Sequence, residues 1–171
     1  MPIPPVSPTR RRPLLARAYA AFGATAAGHW FLKHISRRLD PLLLRLSGGR
    51  LSTIAIQPVV LLTSIGARSG QERTTPLLYF TDEGRVVLLA SNYGGHHHPA
   101  WYHNVRANPE VTLTAGGSAV RYRGVEATGA ERERLWLLAK RMAKNYGQYE
   151  QMTGGRQIPV IVFTPIEQTS S

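Results

Sequence analysis

The chain has no cysteine, which excludes disulfides, thiolate metal centres and a cysteine nucleophile. It is short of acid: 10 Asp and Glu stand against 21 Lys and Arg, for a formal net charge of +11. No apolar run reaches the ~18 residues of a membrane-spanning helix. Neither Gly-x-Gly-x-x-Gly nor Gly-Lys-Ser/Thr occurs, which argues against nicotinamide in a Rossmann fold and against nucleotide hydrolysis. No Ser-His-acid spacing or paired-carboxylate pattern marks a hydrolase. The run His96, His97, His98 and the nearby His103 lack both HExxH order and a neighbouring carboxylate, so no metal site is expected.

What is present fits one folded domain. A chain of 171 residues, 43% hydrophobic and 18% charged, is long enough for one sizeable core. The basic excess is N-terminal: residues 1 to 50 hold nine Lys/Arg and one Asp, residues 51 to 130 six and five acids, residues 131 to 171 six and four. Clustered cations are a nucleic-acid footprint. No aromatic-interleaved basic strand or DNA-binding motif accompanies them, so nucleic acid is not the expected partner. An anionic membrane surface or an anionic cofactor are the alternatives. Thr9-Arg10-Arg11-Arg12-Pro13-Leu14-Leu15 has the outline of a twin-arginine export signal, but Arg17 interrupts its apolar run, so a cytoplasmic location is expected.

Five prolines predict a flexible lead over residues 1–13. Residues 14–49 read as a basic amphipathic helical segment, with Phe31, Ile35, Leu39, Leu42, Leu43 and Leu46 at helical spacing. Asp40-Pro41 marks a break in it and Gly48-Gly49 an end. Residues 29–47 can cover the core or lie on an anionic membrane at the inner face of the cell membrane. From there strand signals dominate: Val59 to Ile65, Thr75 to Thr81, Arg85 to Ala90, Val111 to Ala115, Val120 to Ala127 and Val160 to Thr164, with turns at Asp82-Glu83-Gly84 and Gly116-Gly117. A helix is expected from Pro99 to Ala107, stopped by Asn108-Pro109. A second should begin near Gly129, with a capping box of Thr128 and Glu131. Leu135, Leu138, Ala139 and Met142 form its apolar stripe, which Tyr146 and Tyr149 continue. The expected fold is α+β with a closed barrel over residues 50–166 and a tail at 167–171, not a doubly wound parallel sheet.

Two loop signatures stand out. Gly66-Ala67-Arg68-Ser69-Gly70-x-x-Arg73-Thr74-Thr75-Pro76-Leu77 places two guanidinium groups and several hydroxyls beside tight-turn glycines. That chemistry suits a phosphate. Ser91-Asn92-Tyr93-Gly94-Gly95-x-x-His98-Pro99-Ala100-Trp101-Tyr102-x-Asn104 leaves a strand and opens a helix, with proline pre-set for the first helical position. Amide groups at that helix start face an anion favourably. The two describe a cleft for a phosphorylated ligand with a flat ring.

These residues resemble the deazaflavin (F420)-dependent nitroreductase and quinone reductase family, from about Leu43 to the closing Ile158-Pro159-Val160-Ile161-Val162. The resemblance implies a split β-barrel of the flavin-reductase, FMN-binding type, preceded by N-terminal amphipathic helices. It implies coenzyme F420, an 8-hydroxy-5-deazaflavin, with FMN the alternative cofactor. It further implies a hydride passed to a quinone, enone or nitroaromatic, by a monomer or homodimer. A non-catalytic coenzyme carrier docked on membrane is the reading from a different class. By the same resemblance Arg68 and Arg73, with Ser69 and Gly70, meet the phosphate and acidic tail. Thr74, Thr75, Pro76 and Leu77 line the ring, and Ser91, Asn92, Tyr93 and Gly94 seat it. His98, Trp101 and Asn104 border the coenzyme. Ser91, Tyr146 and Tyr149 face the acceptor.

Overall fold

A computed structural model describes residues 3–8, 58–143 and 145–166. The expectations for residues 9–57 and 167–171, the basic helices among them, lie outside the described residues.

The strands are β1 Val59–Ile65, β2 Glu72–Asp82, β3 Arg85–Leu89, β4 Glu110–Ala115, β5 Ser118–Glu126 and β6 Val160–Pro165. They close an antiparallel barrel in the order β1-β2-β3-β6-β5-β4, the split barrel expected. Alternation explains β1, where Val60, Leu62 and Ser64 are buried and their neighbours are half-exposed. After Arg85, strand β3 is apolar like the start of β6, because both of their faces are covered. Their inward residues Val86, Leu88, Ile161 and Phe163 fill the barrel, while Val87, Leu89, Val160 and Val162 meet helices on the outside.

The described residues include three α-helices, α1 Ala100–Ala107 between β3 and β4, and α2 Gly129–Met142 and α3 Asn145–Met152 between β5 and β6. Trp101, Tyr102 and Val105 of α1 join the barrel's interior cluster. Helices α2 and α3 pack outside β3 and β6 through Leu135, Trp136, Ala139, Met142, Tyr146 and Tyr149. Both tight hairpins use two left-handed residues, Glu83-Gly84 and Gly116-Gly117, whose twist matches the flanking strands.

Four expectations need correction. Residues 3–8 are not a free lead: Ile3 is 5% exposed within the barrel cluster. Tyr79 Oη donates to the Pro4 carbonyl at 3.0 Å, and the Val6 amide donates to Thr81 Oγ1 at 2.8 Å. Prolines there rule out helix; the Pro4 and Val6 carbonyls and the Val6 amide find partners on β2, and the Ile3 amide donates to Tyr122 Oη on β5. The capping box does not form, for Thr128 makes no side-chain cap bond. Glu131 instead pairs with Arg85 at 2.8 Å. Tyr146 and Tyr149 do not continue α2, which ends at Ala143 with φ −145° and ψ 110°; they belong to α3. Pro99 sits just ahead of α1, not inside it, at an extended ψ of 152°.

Candidate functional site

Both signatures gather at α1, at the end of the barrel where β1 passes into β2. The first loop is closed by its own backbone, since the Gly66 amide donates to the Gln71 carbonyl and the Gly70 amide to that of Gly66, each at 2.8 Å. Gly70 has φ +66°, a conformation glycine adopts without strain. The Ala67 amide donates to Asn104 Oδ1 at 3.0 Å, which ties the loop to α1. Asn104 Nδ2 in turn reaches Ser64 Oγ at 3.4 Å.

Arg68 and Ser69 are exposed at the tip of this loop. Arg73 lies on β2, which starts three residues earlier than expected because pairing with β1 runs on to Ile65 and Glu72. Its Nη2 donates to Gln71 Oε1 at 3.1 Å. Among the described residues no carboxylate pairs with Arg68 or Arg73.

The run Thr74 to Leu77 is split by the pleat. Thr75 and Leu77 pair with the buried Leu62 and Val60, so they share the barrel side; Thr74 and Pro76 share the outer side. Thr74 is exposed, and its hydroxyl bonds that of Thr63 at 2.9 Å. A ring lying on this strand meets one pair or the other.

The second loop is unusual in its backbone. After right-handed Ser91, Asn92, Tyr93 and Gly94 have φ of +50°, +54° and +77°. Asn92 Nδ2 donates to the His97 carbonyl at 3.0 Å, bracing the loop from inside. Helix α3 backs it: a Cβ on Gly94 would lie 2.9 Å from Met152 Cβ and 3.3 Å from Tyr149 Cα. An aromatic series runs Trp136, Tyr146, Tyr149, Tyr93 with centroid spacings of 6.2, 6.1 and 6.4 Å. Each such pair adds about 0.5–1.5 kcal/mol beyond burial, and so the short α3 is seated firmly behind the loop.

Trp101 and Asn104 are 4% and 9% exposed; Asn104 braces the first loop through Ala67, and Trp101 packs in the barrel's interior cluster. Tyr146 and Tyr149 are likewise buried, with Tyr149 closer to the loop. Among the described residues no group of three or more His, Cys, Asp or Glu is arranged to hold a metal. A pocket of about 240 Å³ lies beside the base of the first loop, lined by Ser64, Ile65, Glu72, Glu110 and Arg121 among others and by none of the expected site residues. Its carboxylates disfavour an anionic ligand.

Sequence reasoning missed Arg156. Its guanidinium bonds the carbonyls of Ala90, Ser91 and Gly95 and His98 Nδ1. Burial pulls its pKa down. The one available signal was a lone arginine after Gly154-Gly155 just ahead of the closing strand. The His98 ring lies against Tyr102 at 4.7 Å between centroids, tilted by 41°; burial, then Arg156, hold its pKa below the ordinary histidine value. Tyr102 Oη donates to Glu126 Oε2 at 2.8 Å, and burial followed by that carboxylate raises its pKa.

Comparisons with known proteins agree with one another. The sequence model of a family described as F420H(2)-dependent quinone reductase matches residues 36–165. An F420H(2)-dependent quinone reductase of Mycobacterium tuberculosis (strain ATCC 25618 / H37Rv) is 33% identical over 143 residues, 79% of this chain and 95% of that protein. A solved F420-H2 dependent reductase is 38% identical with a TM-score of 0.58, over 63% of this chain and 94% of that one. A structure described as a domain-swapped dimer is 31% identical with a TM-score of 0.60, over 81% and 100%.

Proposed function

The chain belongs to the F420H(2)-dependent quinone reductase family, and from that premise we propose that it binds coenzyme F420 across the two loops joined by α1 and reduces a quinone. Enones and nitroaromatics are acceptors of the same conjugated kind. The observation that carries this reading is Arg68 and Arg73 at one barrel end, free of carboxylate partners among the described residues. Two guanidiniums beside a glycine turn fit a phosphate and an acidic tail.

When bound in its reduced form, the coenzyme supplies a hydride that, with a proton, converts a quinone to a hydroquinone. The chain's residues orient and exclude water. Arg68 and Arg73, with Ser69 and the backbone at Gly70, hold the phosphate. Thr74 and Pro76 meet the ring from the outer side of β2, because Leu77 is engaged in the barrel's interior. Ser91 to Gly94 support the ring's other part, with Asn104 bracing the first loop and Trp101 packed in the barrel's interior cluster. The Ser91 hydroxyl hydrogen-bonds the acceptor oxygen as charge develops there. Tyr149 and Tyr146 wall the acceptor side from behind Tyr93.

The enzyme acts in the cytoplasm, as monomer or homodimer, with the basic segment 29–47 against the inner face of the membrane, near membrane-dissolved quinone. The charge excess of that segment supports this placement. No described helix is long and apolar enough to cross a membrane.

The test is a titration of the full chain with oxidised F420, followed by fluorescence anisotropy with FMN as competitor, and then oxidation of the reduced coenzyme with a soluble quinone. Saturable binding that FMN does not displace, together with quinone-dependent turnover, is expected. Displacement by FMN overturns the coenzyme; binding without turnover across quinones, enones and nitroaromatics overturns the enzymatic reading.

A further inference from the structure

Arg156 sits in the connector between α3 and β6, just after Gly154 and Gly155, whose φ values of +66° and +91° are open to glycine at little cost. Its Nε and Nη2 donate to the Gly95 carbonyl at 3.2 and 2.8 Å, and Nη2 also reaches the Ser91 carbonyl at 3.0 Å. Its Nη1 donates to the Ala90 carbonyl at 3.3 Å and lies 3.0 Å from His98 Nδ1. No described carboxylate pairs with it. The charge is held by neutral acceptors alone, all of them in the loop that the coenzyme reading makes the ring's seat.

Two consequences follow. A left-handed conformation costs a non-glycine residue roughly 1–2 kcal/mol, so Asn92 and Tyr93 keep theirs only where the surroundings fix them. Arg156 does this from the carbonyl side, and Tyr149 and Met152 do it from the α3 side. A right-handed residue followed by a left-handed one also turns successive amide hydrogens toward one concavity, an anion-binding arrangement. Second, a guanidinium has donors and no acceptor. His98 Nδ1 must therefore accept, which leaves the ring neutral with its proton on Nε2, on the side away from Arg156.

We propose that Arg156 is a positioning residue for the coenzyme site: it locks the Ala90–Gly95 segment through three carbonyls and fixes His98 as a neutral Nε2–H donor to an anionic oxygen of the ligand. The identity of the ligand rests on the family reading; the Arg156–His98 relationship does not. The charged and titratable groups facing His98 are Arg156, His103 and Arg106, with Glu126 opposing them and bonded to the Tyr102 against which the ring is tilted. Protonation at Nδ1 sets N–H against N–H, so acidification breaks this contact.

Nitrogen NMR of the His98 ring in the intact protein, without coenzyme, reads the tautomer directly. The expected result is Nε2–H with protonation only below the ordinary histidine range; an Nδ1–H tautomer overturns the proposal. In R156Q the His98 titration moves up toward the ordinary range near ~6.5, and an unmoved titration overturns it. The F420 dissociation constant rises about tenfold in R156Q and in H98F, or ~1.4 kcal/mol. Lys at 156 keeps the charge without the fork, and R156K stays within about threefold of R156Q. Unchanged affinity in H98F overturns the donor role, whether or not R156Q folds. Failure of the wild-type protein to bind F420 overturns the family reading of the ligand and is recognised separately, because the tautomer is measured without coenzyme.

Discussion

Asn104 accepts the Ala67 amide at 3.0 Å from within helix α1, so the phosphate-type loop is anchored on the same helix into which the second loop runs. The bond is part-buried, while Ala67 itself is exposed. N104A leaves the Ala67 amide without its protein acceptor and should cost about 0.5–1.5 kcal/mol, the net worth of one such bond. Hydrogen exchange at Ala67 should speed up and F420 affinity should fall. Unchanged exchange there would show that the Gly66–Gln71 closure holds the loop alone.

Arg68 and Arg73 carry the anion assignment. Replacing both with alanine should raise the F420 dissociation constant at least about tenfold, or ~1.4 kcal/mol, with little change in thermal stability, since both are exposed. The loss should shrink as salt is raised, because the interaction is between solvent-exposed charges. An unchanged constant at low salt would sink the phosphate assignment.

Much of this fold was legible because local chemistry and tertiary need agree. Alternation gave β1, and uniform apolar runs gave β3 and β6, whose second face is covered by α2 and α3. Glu83-Gly84 and Gly116-Gly117 announced their turns. Three of the misses share a cause: the partner is remote in sequence. Glu131 was read as closing a capping box with Thr128, three residues away, but it finds Arg85 across the fold. Ile3 looks like part of a proline-rich lead until Tyr79, Thr81 and Tyr122 supply its neighbourhood. Arg156 bonds groups 58 to 66 residues away, mostly backbone carbonyls, and backbone acceptors leave no residue-type signature. The splitting of Thr74 to Leu77 was implicit in the strand period but needed the register to show which pair faces in.

Ile3 makes a stability prediction at the barrel end opposite α1. It is buried among apolar side chains, and Pro4 packs over the Gly116 turn, where a Cβ would meet its Cγ at 2.8 Å. I3A should cost about 2–5 kcal/mol, the range for truncating a buried isoleucine. The melting temperature should fall by at least ~4 °C. Coenzyme affinity should hold at temperatures where the variant is folded, since residues 3–8 and the two loops lie at opposite ends. A melting temperature unchanged from wild type would mean that the segment contributes no packing in solution.

Asp82 ties the β2–β3 turn to α2. Arg134 grips it with both Nη atoms at 2.9 and 2.6 Å, and Arg85 adds a contact at 3.3 Å while bonding Glu131. The Arg134 hydrogen bonds, ahead of the cost of burial, hold the Asp82 carboxyl below its usual range. A carboxyl depressed in the folded state stabilises the fold fully above its unfolded pKa of ~3.9 and loses that contribution as pH falls through the folded value. Arg134 is half-exposed, so solvent screening limits the pair to about 1 kcal/mol. D82N should therefore be less stable than wild type by about 1 kcal/mol at neutral pH, measured by urea unfolding. The difference should begin to shrink below pH ~4 and close only under the depressed folded value, where the wild-type carboxyl is also neutral. A gap that persists to pH 2 would assign the loss to packing of the amide instead of to charge.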